Sequence, residues 1–450
     1  MTSDCLDIES SVLIKYKSEV RNKIIHLLLF PAILAITYSD QTAKDQWPEF
    51  RGPSADGIVI GEKRGLPISW SENENIAWKT KINGKAWSSP VIWNDQVWIT
   101  NSTENGKSMG AICLDKKNGE ILFNINLFNN ESVEPLGNNV NSYGSPSPVI
   151  EEGMVYIHFG SYGTAAINTM NGKEVWRRTD LKCRHFRGPG SSPVIYKDTL
   201  ILTMDGVDYQ YIIALDKNSG KTKWKTDRST KWDDIEPNGK IRGEGDLRKA
   251  YTTPTFIKVG DKTIMVSPGA KSCFAYNPLN GEEIWNITYS GYSNASRSVI
   301  YKDNVIINSG YGKPHLISVR IDSNASGDIT KTHINWDVFK RVPKRSSPII
   351  INEQLYMTTD EGILSCLDPK TGDAIWSDRI PGHYSASPIL ADKKLYFFSQ
   401  MGDCYVINPG GKYELLSKNK LDDGFMASPA VSGKAIYARS KTHIYRIERL

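Results

Sequence analysis

The sequence predicts an all-β protein: an eight-bladed β-propeller of four-stranded antiparallel blades, closed by an N-terminal strand. Three observations predict it. A Ser/Thr-Pro element followed by apolar residues recurs along the chain, a turn element of fixed spacing recurs between its copies, and the two ends of the array are out of step by one strand. Self-similarity at a period of some tens of residues is the signature of a repeat architecture.

The first element reads SSPVI ending at Ile92, SPVI at 147–150, SSPVI at 191–195, TTPTF at 252–256, SSPII at 346–350, SASPIL at 385–390 and ASPAV at 427–431. NASRSVI at 294–300 occupies the same slot with Ser298 in place of Pro. Pro is tolerated at the start of a strand because its missing N–H need not join the ladder. Each copy therefore marks the first strand of a unit.

The second element is Asp or Asn, three residues, Gly, three residues, aromatic. It occurs as Asp115/Gly119/Phe123, Asn168/Gly172/Trp176, Asp216/Gly220/Trp224, Asn277/Gly281/Trp285 and Asp368/Gly372/Trp376. Two copies are distorted: Asp322 to Gly327 is one residue longer with a late Trp336, and Asn408 to Gly411 is one shorter, followed by Tyr413. The Asx side chain closes a turn on its own backbone and Gly takes the left-handed position. The aromatic then stands on the next strand, where a large flat side chain can wedge between sheets. Two short alternating runs, such as TLILTM and YIIALD, lie between the elements. Each unit is thus four strands in 40 to 61 residues, the size of a propeller blade.

The ends supply the closure. The last copy runs from ASPAV to HIYRIERL and provides three strands, while IAWKT at 76–80 precedes the first Pro element as an orphan. Pairing the two closes the ring and leaves only short protected edges.

Residues 24–38, IIHLLLFPAILAITY, follow Lys15, Lys17, Arg21 and Lys23. A basic segment, a short apolar run and a polar continuation form the export-signal pattern, and the run is shorter than the roughly 20 residues of a membrane span. We therefore expect residues 1–39 to be a signal peptide or N-terminal anchor, 40–75 an extension, and 76–450 the propeller. The expected location is the periplasm, cell envelope or exterior, with no integral span in the mature chain. Composition is that of a globular protein, and a net charge of +5 over 450 residues is too small to imply nucleic-acid binding. The six Cys form no CxxC or adjacent pair, so neither a disulfide framework nor a zinc site is expected. A monomer is expected.

The stretch IIALDKNSGKTKW at 212–224 resembles the tryptophan-docking repeat of the PQQ-like β-propeller superfamily, and WPEFRGPSADGI at 47–58 resembles the start of the mature region in its exported bacterial members. The resemblance covers about residues 47–450. It implies the fold, and it implies a choice of functions, because the superfamily includes quinoprotein dehydrogenases and a scaffold of outer-membrane protein assembly. Alcohol-oxidising dehydrogenases of this type carry an adjacent Cys-Cys pair stacked on the quinone, which this chain lacks, and the scaffold is a lipoprotein, whereas no Cys stands at a lipoprotein position after the apolar run here. The expectation is a non-catalytic binding or scaffold protein of the cell envelope without a cofactor, the alternative being a PQQ-dependent quinoprotein dehydrogenase using PQQ with calcium.

In a propeller the loop entering each innermost strand forms the mouth of the central funnel. Just before the Pro elements stand Trp87, Tyr143, Arg187, Tyr251, Tyr292, Arg345, Tyr384 and Phe425. Aromatic faces supply stacking area and Arg supplies a bidentate fork. The mouth is therefore expected to bind an anionic or aromatic small ligand, or an acidic segment of an envelope partner. No catalytic residue is expected, and the pair Cys183 and His185 is read as part of a loop.

Overall fold

In the computed structural model, residues 45–59 and 61–450 are described; the expected signal segment and Cys5 lie outside them. Residues Trp47–Leu450 form one compact unit. It is an eight-bladed β-propeller of antiparallel sheets. Blade 1 spans 91–129, blade 2 149–178, blade 3 194–227, blade 4 255–288, blade 5 299–338, blade 6 349–379 and blade 7 389–420. Blade 8 combines 430–448 with the strand Ile76–Lys81, which pairs antiparallel with His443–Glu448. The closure read from the strand count is the one observed.

Each innermost strand is three residues long in seven blades and carries the Pro element or its equivalent; blade 4 has the longer Thr255–Val259. Short inner strands let eight sheets converge on one axis. The second and third strands are buried on both faces, which is why VYIH, LILTM and YIIALD read as near-continuous apolar runs.

The turn element locks blades to one another. The aromatic of one blade lies on the turn glycine of the next: Trp78 on Gly119, Phe123 on Gly172, Trp176 on Gly220, Trp224 on Gly281 and Trp336 on Gly372. All five glycines have φ between +68° and +77°, so they answer to two demands at once, the left-handed backbone and the absence of a Cβ under an indole or phenyl ring. Trp78, Trp176 and Trp336 also donate Nε1–H to the carbonyls of Lys116, Lys217 and Pro369 in those turns, at 2.9–3.1 Å.

Two departures have physical causes. The lengthened turn after Asp322 lets Gly327–Asp328 pair parallel with the outer strand of blade 4, which becomes five-stranded. At the junction of blades 7 and 8 the wedge is Trp70, from the N-terminal segment, stacked on Tyr396 and Phe398 at 6.3 and 6.1 Å. Asn419 of blade 7 fixes that segment by accepting from Trp70 N–H and donating to Ile68 O, both at 3.0 Å.

The five described cysteines are free and buried, packed as small apolar groups, and burial pushes their thiols up.

Candidate functional site: a funnel above a belt of hydroxyls

The residue before each Pro, or before Ser298, faces its neighbours around the axis. Ser89 N–H donates to Ser147 Oγ, Ser147 N–H to Ser192 Oγ and Ser192 N–H to Thr253 Oγ1, at 2.8–3.0 Å. Arg297 N–H donates to Ser347 Oγ, Ser347 N–H to Ser387 Oγ, Ser387 N–H to Ser428 Oγ and Ser428 N–H to Ser89 Oγ, at 2.8–3.1 Å. This is why the repeat reads Ser/Thr-Pro. Pro removes a donor that would crowd the axis, and the hydroxyl satisfies the buried N–H of the preceding blade.

The belt is broken once, between blades 4 and 5, where Arg297 stands in the hydroxyl position. Its fully buried guanidinium donates to Pro254 O at 2.8 and 3.1 Å and so bridges the same junction from the other side. It also reaches Phe50 O at 2.5 Å and the Glu49 carboxylate at 3.2 Å. The N-terminal segment is thereby held across the channel. Trp47 pairs with Ile92 of blade 1, Pro48 O accepts from Ile150 N of blade 2, Arg51 Nη2 donates to Pro348 O, and Gly57 and Val59 bond Leu390 of blade 7. Burial pushes the Arg51 guanidinium down to about 9.

On the other side of the belt is a cavity of about 400 Å³, within the range of small-ligand sites. Phe50 and the belt hydroxyls Ser89, Ser147, Ser192, Thr253, Ser387 and Ser428 line its depth, and Trp87, Arg187, Tyr251, Tyr292, Tyr311 and Arg345 form its walls.

Five of the eight mouth residues read from the sequence thus meet at one cavity: Trp87, Arg187, Tyr251, Tyr292 and Arg345. The other three are placed in the packing between blades. Tyr143 donates its hydroxyl to Glu134 O at 2.7 Å, Tyr384 is almost fully buried among Ile349, Leu364 and Leu390, and Phe425 packs edge-on against Phe398 at 5.1 Å.

Both arginines are oriented by carboxylates. Arg345 pairs with Asp360 at 2.8 Å, and Asp360 also accepts from Lys344 N–H at 3.0 Å. Arg187 pairs with Asp246 at 3.2 Å and lies over Phe186 at 4.8 Å. Tyr251 is held by the buried Lys249, whose Nζ donates to the Tyr251 hydroxyl at 2.7 Å and to Phe186 O. Burial pushes that ammonium down to about 7.

Cys183 and His185 are both buried, with Sγ and Nδ1 4.0 Å apart. Burial pushes the thiol well up and the imidazole well down, so the pair is neutral and not a thiolate–imidazolium couple.

Tyr311, Asp246, Asn141 and Phe50 belong to the cavity and were not found from the sequence. The signal was in the spacing. The two longest intervals between Pro elements, 90 to 148 and 193 to 254, contain the segments 130–142 and 228–250. Both segments reach the cavity, and Asn141 Nδ2 clamps the Arg187 loop by donating to Arg187 O and Pro189 O at 2.8 and 3.0 Å.

Among known proteins, the chain is similar in fold to BamB of Moraxella catarrhalis, with 13% identity, a TM-score of 0.55, and coverage of 82% of this chain and 99% of that one. It is also similar in fold to a quinohemoprotein alcohol dehydrogenase from Comamonas testosteroni, with 12% identity, a TM-score of 0.61, and coverage of 90% and 81%. A europium-containing methanol dehydrogenase gives 12% identity, 0.59, 89% and 90%. At these identities the likeness shows the fold alone. A tetrathionate hydrolase of Acidithiobacillus ferrooxidans is 21% identical over 290 residues, 58% of this chain and 55% of that one, so the chain spans about half the length of this relative. A family model described as outer membrane protein assembly factor BamB matches residues 44–182, 76–224 and 184–378, and these matches, joined to the Asx-Gly-aromatic locks, show that the chain belongs to that family of PQQ-like β-propellers.

Proposed function

We propose that this chain is a binding or scaffold protein of the cell envelope, and that its funnel receives an anionic or aromatic ligand or an acidic partner segment. The observation that carries the proposal is the wall itself: two carboxylate-oriented arginines and four aromatic rings around one cavity closed beneath by Phe50. Rings offer flat apolar area, and a pre-oriented guanidinium binds a carboxylate with little further loss of freedom.

The fold family also implies PQQ with calcium. Calcium takes six to eight oxygens, several of them anionic. Among the described residues lining the cavity the carboxylate is Asp246, already engaged by Arg187, and among the described residues no group of three His, Cys, Asp or Glu side chains is placed to hold a metal. This donor set does not fit a calcium-bound quinone, and the funnel is assigned no redox step.

The test is titration of the full chain with benzoate, phthalate and a polyglutamate peptide, followed by calorimetry. One of these acids should bind, and Arg345→Ala should weaken it by about 1.5–3 kcal/mol, the worth of a hydrogen bond to a charged group. Unchanged affinity in Arg345→Ala, Arg187→Ala and Trp87→Ala would move the site elsewhere.

A further inference from the structure

Away from the funnel lining, where the connection from blade 4 meets blade 5, three side chains separated in sequence meet in a line. Ser290 Oγ lies 2.9 Å from His315 Nε2, and His315 Nδ1 lies 3.0 and 3.1 Å from the two oxygens of Asp337. The carboxylate can only accept, so Nδ1 carries the ring proton and Nε2 presents its lone pair to the Ser290 hydroxyl. That is the wiring of a serine nucleophile, its base and the group that orients the base.

The backbone holds this arrangement. Ser290 lies on the connection between blades 4 and 5, and Tyr289 N–H and Gly291 O are both bonded to the backbone of Lys271. A Cβ on Gly291 would sit 2.1 Å from Ser309 O, so only glycine lets this connection press against the second strand of blade 5. His315 is fixed from its own backbone, because its N–H donates to Ser309 Oγ at 2.8 Å and its carbonyl accepts from Ser309 N–H at 3.0 Å. Phe339 covers the imidazole with ring centroids 4.2 Å apart, leaving His315 only 8% exposed. Ser290 itself is exposed and open to a substrate.

Two further features suit acyl chemistry. The Ser290 and Gly291 N–H groups, on either side of Ser290 Cα, donate to no described group, so unspent donors adjoin the nucleophile. Lys271 Nζ stands 3.0 Å from Ser290 O, and Lys313 Nζ lies 4.7 Å above Phe339, so cations flank the site.

We propose that Ser290, His315 and Asp337 form a nucleophilic triad that hydrolyses esters of acidic molecules. Ser290 Oγ bonds to the acyl carbon as its proton passes to His315 Nε2 and the carbonyl electron pair moves onto oxygen. Collapse breaks the carbon–oxygen bond to the alcohol, which leaves with the Nε2 proton. Water then attacks the acyl carbon, gives a proton to Nε2, and the Oγ–carbon bond breaks. Ser290 recovers its proton and the carboxylic acid departs. Asp337 is a positioning residue that holds the productive tautomer.

The test treats the full chain with a fluorophosphonate probe and maps the adduct by mass spectrometry, beside hydrolysis of p-nitrophenyl acetate. One adduct on Ser290 is expected, with ester turnover abolished in Ser290→Ala. Asp337→Asn should slow labelling on the order of a hundredfold or more at unchanged melting temperature, since replacing the orienting acid leaves the wrong tautomer, and Asp337→Glu should recover part of the rate. No adduct on Ser290 overturns the proposal, and so does a labelling rate indifferent to Asp337→Asn, which would mark Ser290 as an ordinary surface serine. The funnel takes no part in either readout, so this outcome is independent of ligand binding there.

Discussion

The Ser428 amide donates to Ser89 Oγ at 3.1 Å, a bond between residues of the last and first blades. Beside it, Arg439 of blade 8 donates to Ser88 Oγ at 2.7 Å and to Thr100 O at 2.8 Å. The ring is therefore closed at its axis by polar bonds as well as at its rim by the strand Ile76–Lys81.

Ser89→Ala should destabilise the protein by about 1–3 kcal/mol, because the buried Ser428 N–H loses its acceptor while keeping its desolvation cost. Ser89→Thr should retain most of the stability, since Thr253 fills the same role in blade 4. Urea melts of the two variants measure the difference. Equal losses would assign the effect to packing.

Deleting residues 47–81 removes the closing strand, the Trp70 wedge and the segment across the channel together. The truncated chain should melt well below the parent and with lower cooperativity, because blade 8 is left with three strands and an open edge. Calorimetry checks this, and a transition matching that of the parent would show that the segment contributes nothing to closure.

Gly281→Ala should be far worse than Gly239→Ala. Both positions are left-handed, with φ of +75° and +79°. At Gly281 the new Cβ meets Trp224 at 2.4 Å and Thr226 Oγ1 at 2.6 Å, whereas at Gly239 nothing lies within 4 Å. The backbone term, about 1–2 kcal/mol, is shared. Overpacking the inter-blade lock adds about 1–3 kcal/mol, and equal melting temperatures would refute the lock.

Stability should fall as pH drops from about 6.5 toward about 3. Burial pushes His158 down to about 3, and burial with the Lys249 ammonium holds His185 well below the usual imidazole range. Both are neutral in the fold, so above pH 6.5 these two histidines do not distinguish the folded from the unfolded chain. Below it the unfolded chain takes up protons that the folded one refuses, at about 1.4 kcal/mol per pH unit for each histidine. His158→Gln should flatten the acid limb of a melting-temperature profile. An unchanged limb would mean that His158 protonates in the folded state.

The fold was legible because a propeller repeats one local solution eight times. Ser/Thr-Pro, Asx-x3-Gly-x3-aromatic and the orphan IAWKT are each readable from residue type and spacing, and together they dictate blade number, strand order and closure. The funnel was legible in part. Trp87, Arg187, Tyr251, Tyr292 and Arg345 precede their inner strands and line the cavity, while Tyr143, Tyr384 and Phe425 occupy the same sequence position and turn into the packing between blades. One loop slot can aim its side chain at the axis or at the neighbouring sheet, and that choice depends on the shape of adjoining blades.

What the sequence by itself determined is the set of terms that are local: turn geometry, strand polarity and the left-handed glycines. What only the tertiary structure decided is the set of meetings between residues that share no local pattern. Glu49 reaches Arg297 across the channel, Trp70 of the N-terminal segment stacks on Tyr396 and Phe398 of blade 7, and Ser290, His315 and Asp337 align where the connection from blade 4 meets blade 5. Such meetings depend on how blades stack and where connections cross, and spacing along the chain carries no record of either.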